Sequence, residues 1–384
     1  MVLRDTLKKG IYLSTGILRK IPFSASLRSY MSEKEIEEKL SAVYPDHPVY
    51  SESTFQDYPL GRHVNLDLIL PVMNPDPDYF RECIDSLLEQ ETDYSYRIIC
   101  IDDGSTDPAI RPLLDKYETD YPERVTLIRQ ENHGVGAARN TGIRVSDCDY
   151  IGFVDQDDIV EKQYVQTLLQ DAYRQNADAV KCAHKVFQDG NVIQVYEMSD
   201  HFYPDGLGED TLSLSGMIWG GIYKRSVFDQ IRFPEHYWFE DMIARLLLYP
   251  ACTRFSCLSG PLYLKRRHSA NASRVVWKSR DVKNLDHIYL LNHLIEERNR
   301  IGLPNDIVFF RCLLPEIGQY LMWRSRSLSG NVKKLLFQKA CFLFDQYQKD
   351  GTFDEQETLY IRAFKKRSYS QWVLNAWYEW AGSR

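Results

Sequence analysis

The sequence predicts an α/β fold, with a mostly parallel sheet flanked by helices and a C-terminal helical appendage. Short apolar runs alternate with helical patterns from Asn65 to Cys182, and acidic clusters stand where those runs end. After about Asn284 the strand pattern stops and amphipathic helical spacing takes over. Alternation of strand and helix over such a length implies a parallel sheet covered on both faces. Ligands of such sheets bind beyond the carboxyl ends of the strands.

Each element follows from its pattern. Leu66-Asp67-Leu68-Ile69-Leu70 reads as the first strand, which Pro71 is expected to end. Phe80, Ile84, Leu87 and Leu88 then recur at helical spacing. Residues 97–101 and 125–128 give the second and third strands, and residues 150–154 the fourth. A helix is expected over residues 136–145, with Gly134 and Gly136 at its start. Leu168, Leu169 and Ala172 mark another helix, and residues 179–182 another strand. In the appendage, Leu285, Ile288, Leu291 and Ile295 share a helical face. Residues 306–325 form a further helix that Pro315 should kink or break. Thr352 with Glu355 resembles a capping box opening a third, and Trp372, Trp377 and Trp380 close the chain. The expected division is therefore residues 1–60 as a basic extension and lead-in with a helix from residue 33, 61–275 as the α/β domain, and 276–384 as the helical domain.

Composition narrows the class. An apolar fraction of 44% supports a real core, and a net charge of −7 excludes a nucleic-acid binder by charge. No stretch approaches the roughly 20 apolar residues of a membrane span. Residues 1–20 are basic but lack a continuous apolar centre, so no secretory leader is expected. The same region, with Leu7, Ile11 and Leu18 spaced for one helical face, reads either as a solvated extension or as a peripheral contact with an anionic membrane surface. The eight cysteines include no C-x-x-C pair and lie largely in apolar segments. They are expected to be reduced core residues of a cytoplasmic protein, with a disulfide framework as the lesser alternative and the inner face of the membrane as the alternative location.

The strongest chemical signal is Asp155-Gln156-Asp157-Asp158, directly after the apolar run 150–154. Crowded carboxylates raise one another's cost of ionisation unless a cation or polar ligand offsets it. An Asp-rich turn capping the next helix is the plainer alternative. The second strand ends in Asp102-Asp103-Gly104-Ser105-Thr106-Asp107. Helix capping accounts for Thr106 and Asp107 but not for the preceding pair. A carboxylate at such a strand end can accept the ring N–H of a uracil. Gly134-Val135-Gly136 opens a helix, where free N–H groups favour anions, and Arg139 adds positive charge. Glu240-Asp241 reads either as acids at a helix N-terminus or as a general base beside the site. His268 lies in a polar, basic segment and is either a solvated loop residue or a metal ligand with Asp157.

Taken in order, these blocks resemble family 2 glycosyltransferases with a Rossmann-like GT-A fold. The carrying motifs are Pro71-Val72-Met73-Asn74, Asp102-Asp103-Gly104-Ser105, the helix start from Gly134 to Asn140, the D-x-D-type motif Asp155–Asp158, a Trp219–Arg225 segment, Glu240-Asp241 and the His268 loop. Met73 stands where the family usually has Tyr, and Gly220-Gly221 departs from its W-x-K-L-Y-like segment. The resemblance implies that Pro71, Asn74 and Asp103, with Asp102, hold the uridine of a UDP-sugar. It implies that Arg139 contacts the diphosphate side, that Asp155 touches the ribose, and that Asp157 binds Mn²⁺ or Mg²⁺ with His268 as a further ligand. Asp241 would take the proton of an acceptor hydroxyl. Trp219 and Glu240 are acceptor candidates, and so are Tyr237 and Trp238 from their position just before Glu240, with core packing as the alternative for that aromatic pair. One base opposite the leaving group implies inversion, in polysaccharide or other surface-glycan assembly on a glycan, glycolipid or glycoprotein. A homo-oligomer, with the helical tail contacting a second subunit, is one further expectation.

Three rival functions fit less well. A sugar nucleotidyltransferase carries a Gly-rich phosphate loop after its first strand, where this chain has Pro71-Val72-Met73-Asn74. A non-catalytic sugar-nucleotide-binding or scaffold protein would have less reason to keep Asp103, Asp157 and Asp241 together. A processive synthase would show Gln-x-x-Arg-Trp, whereas Gln319-Tyr320-Leu321-Met322-Trp323 lacks the Arg.

Overall fold

A computed structural model describes residues 31–49, 62–269, 271 and 281–382, and residues 1–30, with their membrane or solvent alternatives, lie outside them. The chain divides into two compact units, residues 49–271 and residues 1–48 with 272–384. The first described element, α1 (Glu33–Val43), belongs to the second unit.

The larger unit starts with β1 (Val64–Val72), α2 (Pro77–Leu88), β2 (Tyr96–Asp103), α3 (Ile110–Asp120), β3 (Val125–Gln130), α4 (Val135–Val145) and β4 (Cys148–Phe153). These four strands are parallel, in the order β3-β2-β1-β4. They read as apolar runs because both faces are covered; every residue of β2 is buried. A buried charge pair is matched across the sheet. Asp67 and Arg97 are register partners, and both Asp67 oxygens accept from the guanidinium at 2.9 Å.

Pro71 lies inside β1 instead of ending it. It still pairs with Ile101 of β2, while the β4 ladder stops at Ile69 and Phe153, so the missing N–H falls where β4 offers no register partner. Asp107 does not cap α3. Its carboxylate accepts from Ala109 N one turn earlier, and α3 starts without a side-chain cap.

The chain continues through β5 (Ile159–Val160), α5 (Tyr164–Gln175), β6 (Ala179–Gln188), β7 (Asn191–Tyr196), β8 (His201–Tyr203), β9 (Gly221–Lys224) and β10 (Phe255–Arg266). The sheet order is β3-β2-β1-β4-β9-β6-β10-β5, with β7 on β6 and β8 on β10. β9 runs antiparallel between β4 and β6, and β10 is parallel to β6. The chain reverses its direction of growth across the sheet between β1 and β4, so the ends of β1, β2 and β4 flank the crevice where such folds bind ligands.

The second unit is helical. After α1 it contains α6 (Asp286–Arg300), α7 (Ile307–Pro315), α8 (Gly330–Tyr347), α9 (Glu355–Lys365) and α10 (Tyr369–Gly382). Pro315 neither breaks nor ends the helical path. The backbone widens into a π-helical turn, Glu316–Tyr320, and resumes at Leu321–Arg324. The capping box is made by Asp354 and Glu357, two residues beyond the expected pair, because the Asp354 carboxylate is the one that reaches the Glu357 N–H. Helix α8 has no counterpart in the sequence reading. Lys339 on α8 donates to Glu33 and Glu37 at 2.6 Å each, which ties α1 into this bundle and not into a separate lead-in. Trp372 is fully buried beside Phe337 and donates to Ile317 O, and Trp323 donates to Ala376 O, so both serve helix packing. All eight cysteines are buried and free, as expected. Among the described residues no helix is long and apolar enough to cross a membrane.

Gly136, in the first turn of α4, packs directly on the Pro234 carbonyl, which occupies the space a Cβ would need. Gly136→Ala should lower stability by about 2 kcal/mol, since backbone cannot yield as a side chain tip can. A reduced urea midpoint at unchanged m-value would register it.

Candidate functional site

The turn after β4 is built around its carboxylates. Asp158 is fully buried. Its Oδ2 accepts from Tyr263 OH at 2.7 Å and Lys265 Nζ at 3.1 Å, and its Oδ1 from Arg266 N at 2.8 Å. Asp155 accepts from Lys265 Nζ at 2.9 Å and from Arg139 Nη2 at 3.3 Å. Its N–H donates to Tyr263 OH. Burial alone would raise the Asp155 pKa, but Lys265 and Arg139 outweigh it and hold it below the usual carboxylate range. For Asp158 burial wins over Lys265, and the neighbouring Asp157 and Asp155 push the same way, up to about 7.

Asp157 faces a different partner. Its Oδ2 lies 2.6 Å from His268 Nε2 and accepts from Asn271 Nδ2 at 2.9 Å, while its carbonyl accepts from Arg266 Nε. Oxygens of Asp155, Asp157 and Asp158 come within 4.8 Å of one another. Lys265, however, already bridges Asp155 and Asp158. That leaves Asp157 with His268, 18% and 19% exposed, as a donor pair. One carboxylate oxygen and one imidazole nitrogen, both partly open to solvent, suit Mn²⁺ or Mg²⁺ with room for further oxygen ligands.

Gln156, between the acids, clamps the end of β1. Its amide accepts from Met73 N at 2.8 Å and donates to Met73 O at 3.2 Å. Asn74, in the left-handed region at φ 41°, joins this end to the loop after β2: its Oδ1 accepts from Thr106 N and Asp107 N. Asp102 accepts from Ser105 N at 2.9 Å. Asp103 accepts from Gln130 Nε2 at 2.8 Å, His133 N at 3.0 Å and Gly134 N at 2.9 Å. Burial raises its pKa in spite of those donors. Pro71, Asn74, Asp102 and Asp103 thus gather at the ends of β1 and β2. Gln156, and α4 with its anchored first turn, connect them to the acids after β4.

Arg139 is buried and bridges two acidic groups, donating to Glu240 Oε1 at 2.9 Å and to Asp155. Asp241 follows Glu240 in a single 3₁₀ turn, preceded by Phe239 at φ 70°. A non-glycine residue in that region is strained, which is common where a functional side chain must be aimed. Asp241 Oδ1 is buried with no hydrogen-bond partner. Burial first, then Glu240, and also Asp155, lift its pKa to about 7 against the pull of Arg139 and Lys265.

The expected acceptor residues divide. Glu240 is part of the Arg139 bridge, and Trp238 is half-buried beside it in sequence. Tyr237 is buried, and so is Trp219. Trp219 stacks on Tyr263 at 4.7 Å and 14°, with Lys265 Nζ 5.5 Å from its ring. Its faces are therefore spent on positioning Tyr263 and Lys265. The two glycines after it have a reason: Gly220 has φ 70°, and a Cβ on Gly221 would meet Val180 O and the Lys181 stem. Lys181 Nζ in turn donates to Met217 O and Trp219 O.

Sequence reasoning missed Lys265, Tyr263, Arg266, Asn271 and Gln156. The available signal was period two: Tyr263 and Lys265 share one face of β10. Gly260-Pro261 and the register shifts between Leu258 and Tyr263 disguised the strand.

Residues 67–232 match the model of the family described as glycosyl transferase family 2. GlyA, a glycosyltransferase of Streptococcus pneumoniae serotype 4, is 30% identical over 223 residues, which are 55% of this chain and 32% of GlyA. This chain thus spans about a third of that relative. The glycosyltransferase YibD of Escherichia coli is 28% identical over 70% of this chain and 79% of its own length. Another pneumococcal glycosyltransferase, GlyG, is 26% identical over 74% and 98%. The crystal structure of Staphylococcus aureus TarS residues 1–349 with UDP-GlcNAc shares the fold, with a TM-score of 0.54 at 16% identity over 83% of this chain and 92% of that one.

Lys265→Met would leave Asp155 and Asp158 facing each other without their shared cation. The expected cost is about 2 kcal/mol or more by denaturant unfolding. Adding Asp158→Asn should restore part of that loss, as contacting groups are not additive. Strictly additive effects would show that the bridge carries no weight.

Proposed function

Because the chain belongs to glycosyl transferase family 2 and has a GT-A fold, we propose that it moves one hexose or N-acetylhexosamine from a UDP-sugar to a hydroxyl of a glycan, glycolipid or glycoprotein acceptor, with inversion. The observation that carries this reading is Asp241: a carboxylate with one buried, unpartnered oxygen, beside the Arg139 bridge to Asp155. Its pKa of about 7 suits a proton acceptor near neutral pH. In the proposed step Asp241 takes the acceptor O–H proton. The freed oxygen bonds to the anomeric carbon, and the bond from that carbon to the diphosphate breaks on the opposite side.

The donor would lie across the ends of β1, β2 and β4. Asp103 accepts three N–H groups, which leaves one acceptor site of a carboxylate's roughly four for a uracil N–H. Asp155, held ionised by Lys265 and Arg139, would accept from ribose hydroxyls. Asp157 and His268 would hold Mn²⁺ or Mg²⁺, whose bound charge favours departure of the diphosphate. Arg139 supports this reading by tying Glu240, the neighbour of Asp241, to Asp155 through one guanidinium.

Asp241→Asn should lower the transfer rate by about 10³-fold while UDP affinity stays within about twofold. In the native enzyme kcat/KM should rise with pH and level off above about 7, because the base must be deprotonated and its pKa is raised. A variant that retains rates within a few-fold, or a profile flat through this range, would remove Asp241 from the role.

Donor binding should depend on the divalent ion. Calorimetry with UDP should give at least about tenfold weaker binding in chelator than in Mn²⁺, and Asp157→Ala should erase the difference. Equal affinities in the native protein would count against the metal assignment.

A further inference from the structure

A row of aromatic rings leads out of the acid cluster onto a surface that no step above uses. His184 on β6 pairs in register with Tyr263 on β10 and with Tyr196 on β7, so the three side chains share one face of the sheet. Tyr263 and Trp219 stack, Trp219 meets the His184 ring edge-on at 4.9 Å, and His184 stacks on Tyr196 at 4.4 Å and 12°. Exposure grows outward along this row: Tyr263 0%, Trp219 6%, His184 9%, Tyr196 45%. The inner end bonds Asp158 and Asp155 through Tyr263 OH. At the outer end Tyr196 stacks on His184 and remains 45% exposed.

Every residue of β7 is exposed, and Gln194, two positions before Tyr196, pairs with Val186 on the same side of the hairpin. Burial, then Lys181 and Lys265, hold the His184 pKa down at about 4, so the ring backing Tyr196 is neutral.

We propose that Tyr196, backed by His184 and with Gln194 on the same face of β7, is an outer acceptor subsite that stacks a sugar ring of the acceptor glycan beyond the unit that reacts. This rests on the transferase reading above. A pyranose has an apolar face of C–H groups that suits a flat aromatic ring, and a rim of hydroxyls that suits a side-chain amide. The row's continuity with the acid cluster favours a chain that enters the reacting site over a separate partner. Stacking on a solid aromatic layer also requires little reordering of the protein, because His184, Trp219 and Tyr263 are already fixed.

The test uses the full chain and three hexasaccharide probes, cellohexaose, chitohexaose and maltohexaose, with UDP and Mn²⁺ present. Saturation-transfer NMR and titration should show at least one probe binding the native protein. Its affinity should fall about fivefold or more in Tyr196→Ala and stay within about twofold in Tyr196→Phe and Tyr196→Trp. UDP affinity should be the same in all four proteins. No binding of any probe, or equal binding by Tyr196→Ala, overturns the subsite. So does a change from dimer to monomer in Tyr196→Ala by sedimentation, which would assign the exposed strand to a second copy. If the native protein fails to bind UDP, the transferase reading itself falls and the subsite with it; UDP binding that persists while Tyr196→Ala has no effect removes the subsite alone.

Discussion

The ammonium of Lys265 stands between Asp155 and Asp158, and the rest of the site depends on it. Crowded carboxylates at a strand end need a compensating charge, and here the chain supplies its own. That charge comes from β10, more than one hundred residues further along, so the site exists only if β10 lies correctly in the sheet. It does so by running parallel to β6, which pairs with β9, which pairs with β4. The acid turn and its cation are brought together by the whole width of the sheet between them. Arg139, from α4, supplies the second cation on the opposite side of Asp155.

Several local features serve that bridge. Tyr263 donates to Asp158 and accepts from Asp155 N, and Trp219 stacks on its ring. Trp219 is held in turn by Lys181, whose own burial lowers its pKa to about 8. Gly220 and Gly221 let the Trp219 loop pass close over β6. The departure of this segment from the family's usual pattern is therefore a close-packing solution: a side chain at Gly221 would collide with the Lys181 stem. On the other flank Arg266, bonded to Asp157 O through Nε, lies between the rings of Tyr79 and Phe187 at 4.4 and 4.5 Å. The Asp157 backbone is thus fixed independently of its carboxylate.

The first half of the sheet was legible because its signals are local. Apolar runs marked β1, β2 and β4, the last two with acids at their ends, and the two glycines before Arg139 marked the start of α4. The errors were also local. Pro71 reads as a terminator because sequence cannot reveal that β4 stops two residues short of it. Pro315 reads as a break because a wide π turn leaves no mark of its own. Thr352 and Glu355 have the spacing of a capping box, but Asp354 and Glu357 have it as well, and only the backbone decides between them. The site residues that escaped notice share a different cause. Lys265, Tyr263 and Asn271 act on acids 105 to 114 positions away in sequence, a coupling that no local spacing encodes. Gln156 was overlooked because its neighbours are charged, although it is the residue that ties the acid turn to β1.

One electrostatic field gives these acids different characters. Asp155 receives two cationic donors and is driven toward its ionised form. Asp158 is paired as well, but complete burial keeps its proton affinity high, and its donors bind it into the protein. Asp241 feels the same Arg139 and Lys265 at a distance, yet Arg139 spends its hydrogen bonds on Glu240 and Asp155. With Oδ1 unpartnered and burial opposing its charge, Asp241 is balanced between protonated and ionised near neutrality. Environments that push the proton affinities of neighbouring acids apart are how a site assigns distinct tasks to chemically identical groups. The strained Phe239 fits that logic: the energy stored in its backbone is offset by the packing around it and aims the carboxylate that remains available. The proposal that Asp241 is the proton acceptor rests on this contrast: Arg139 and Lys265 bind Asp155, Asp158 and Glu240 directly and leave Asp241 unbound.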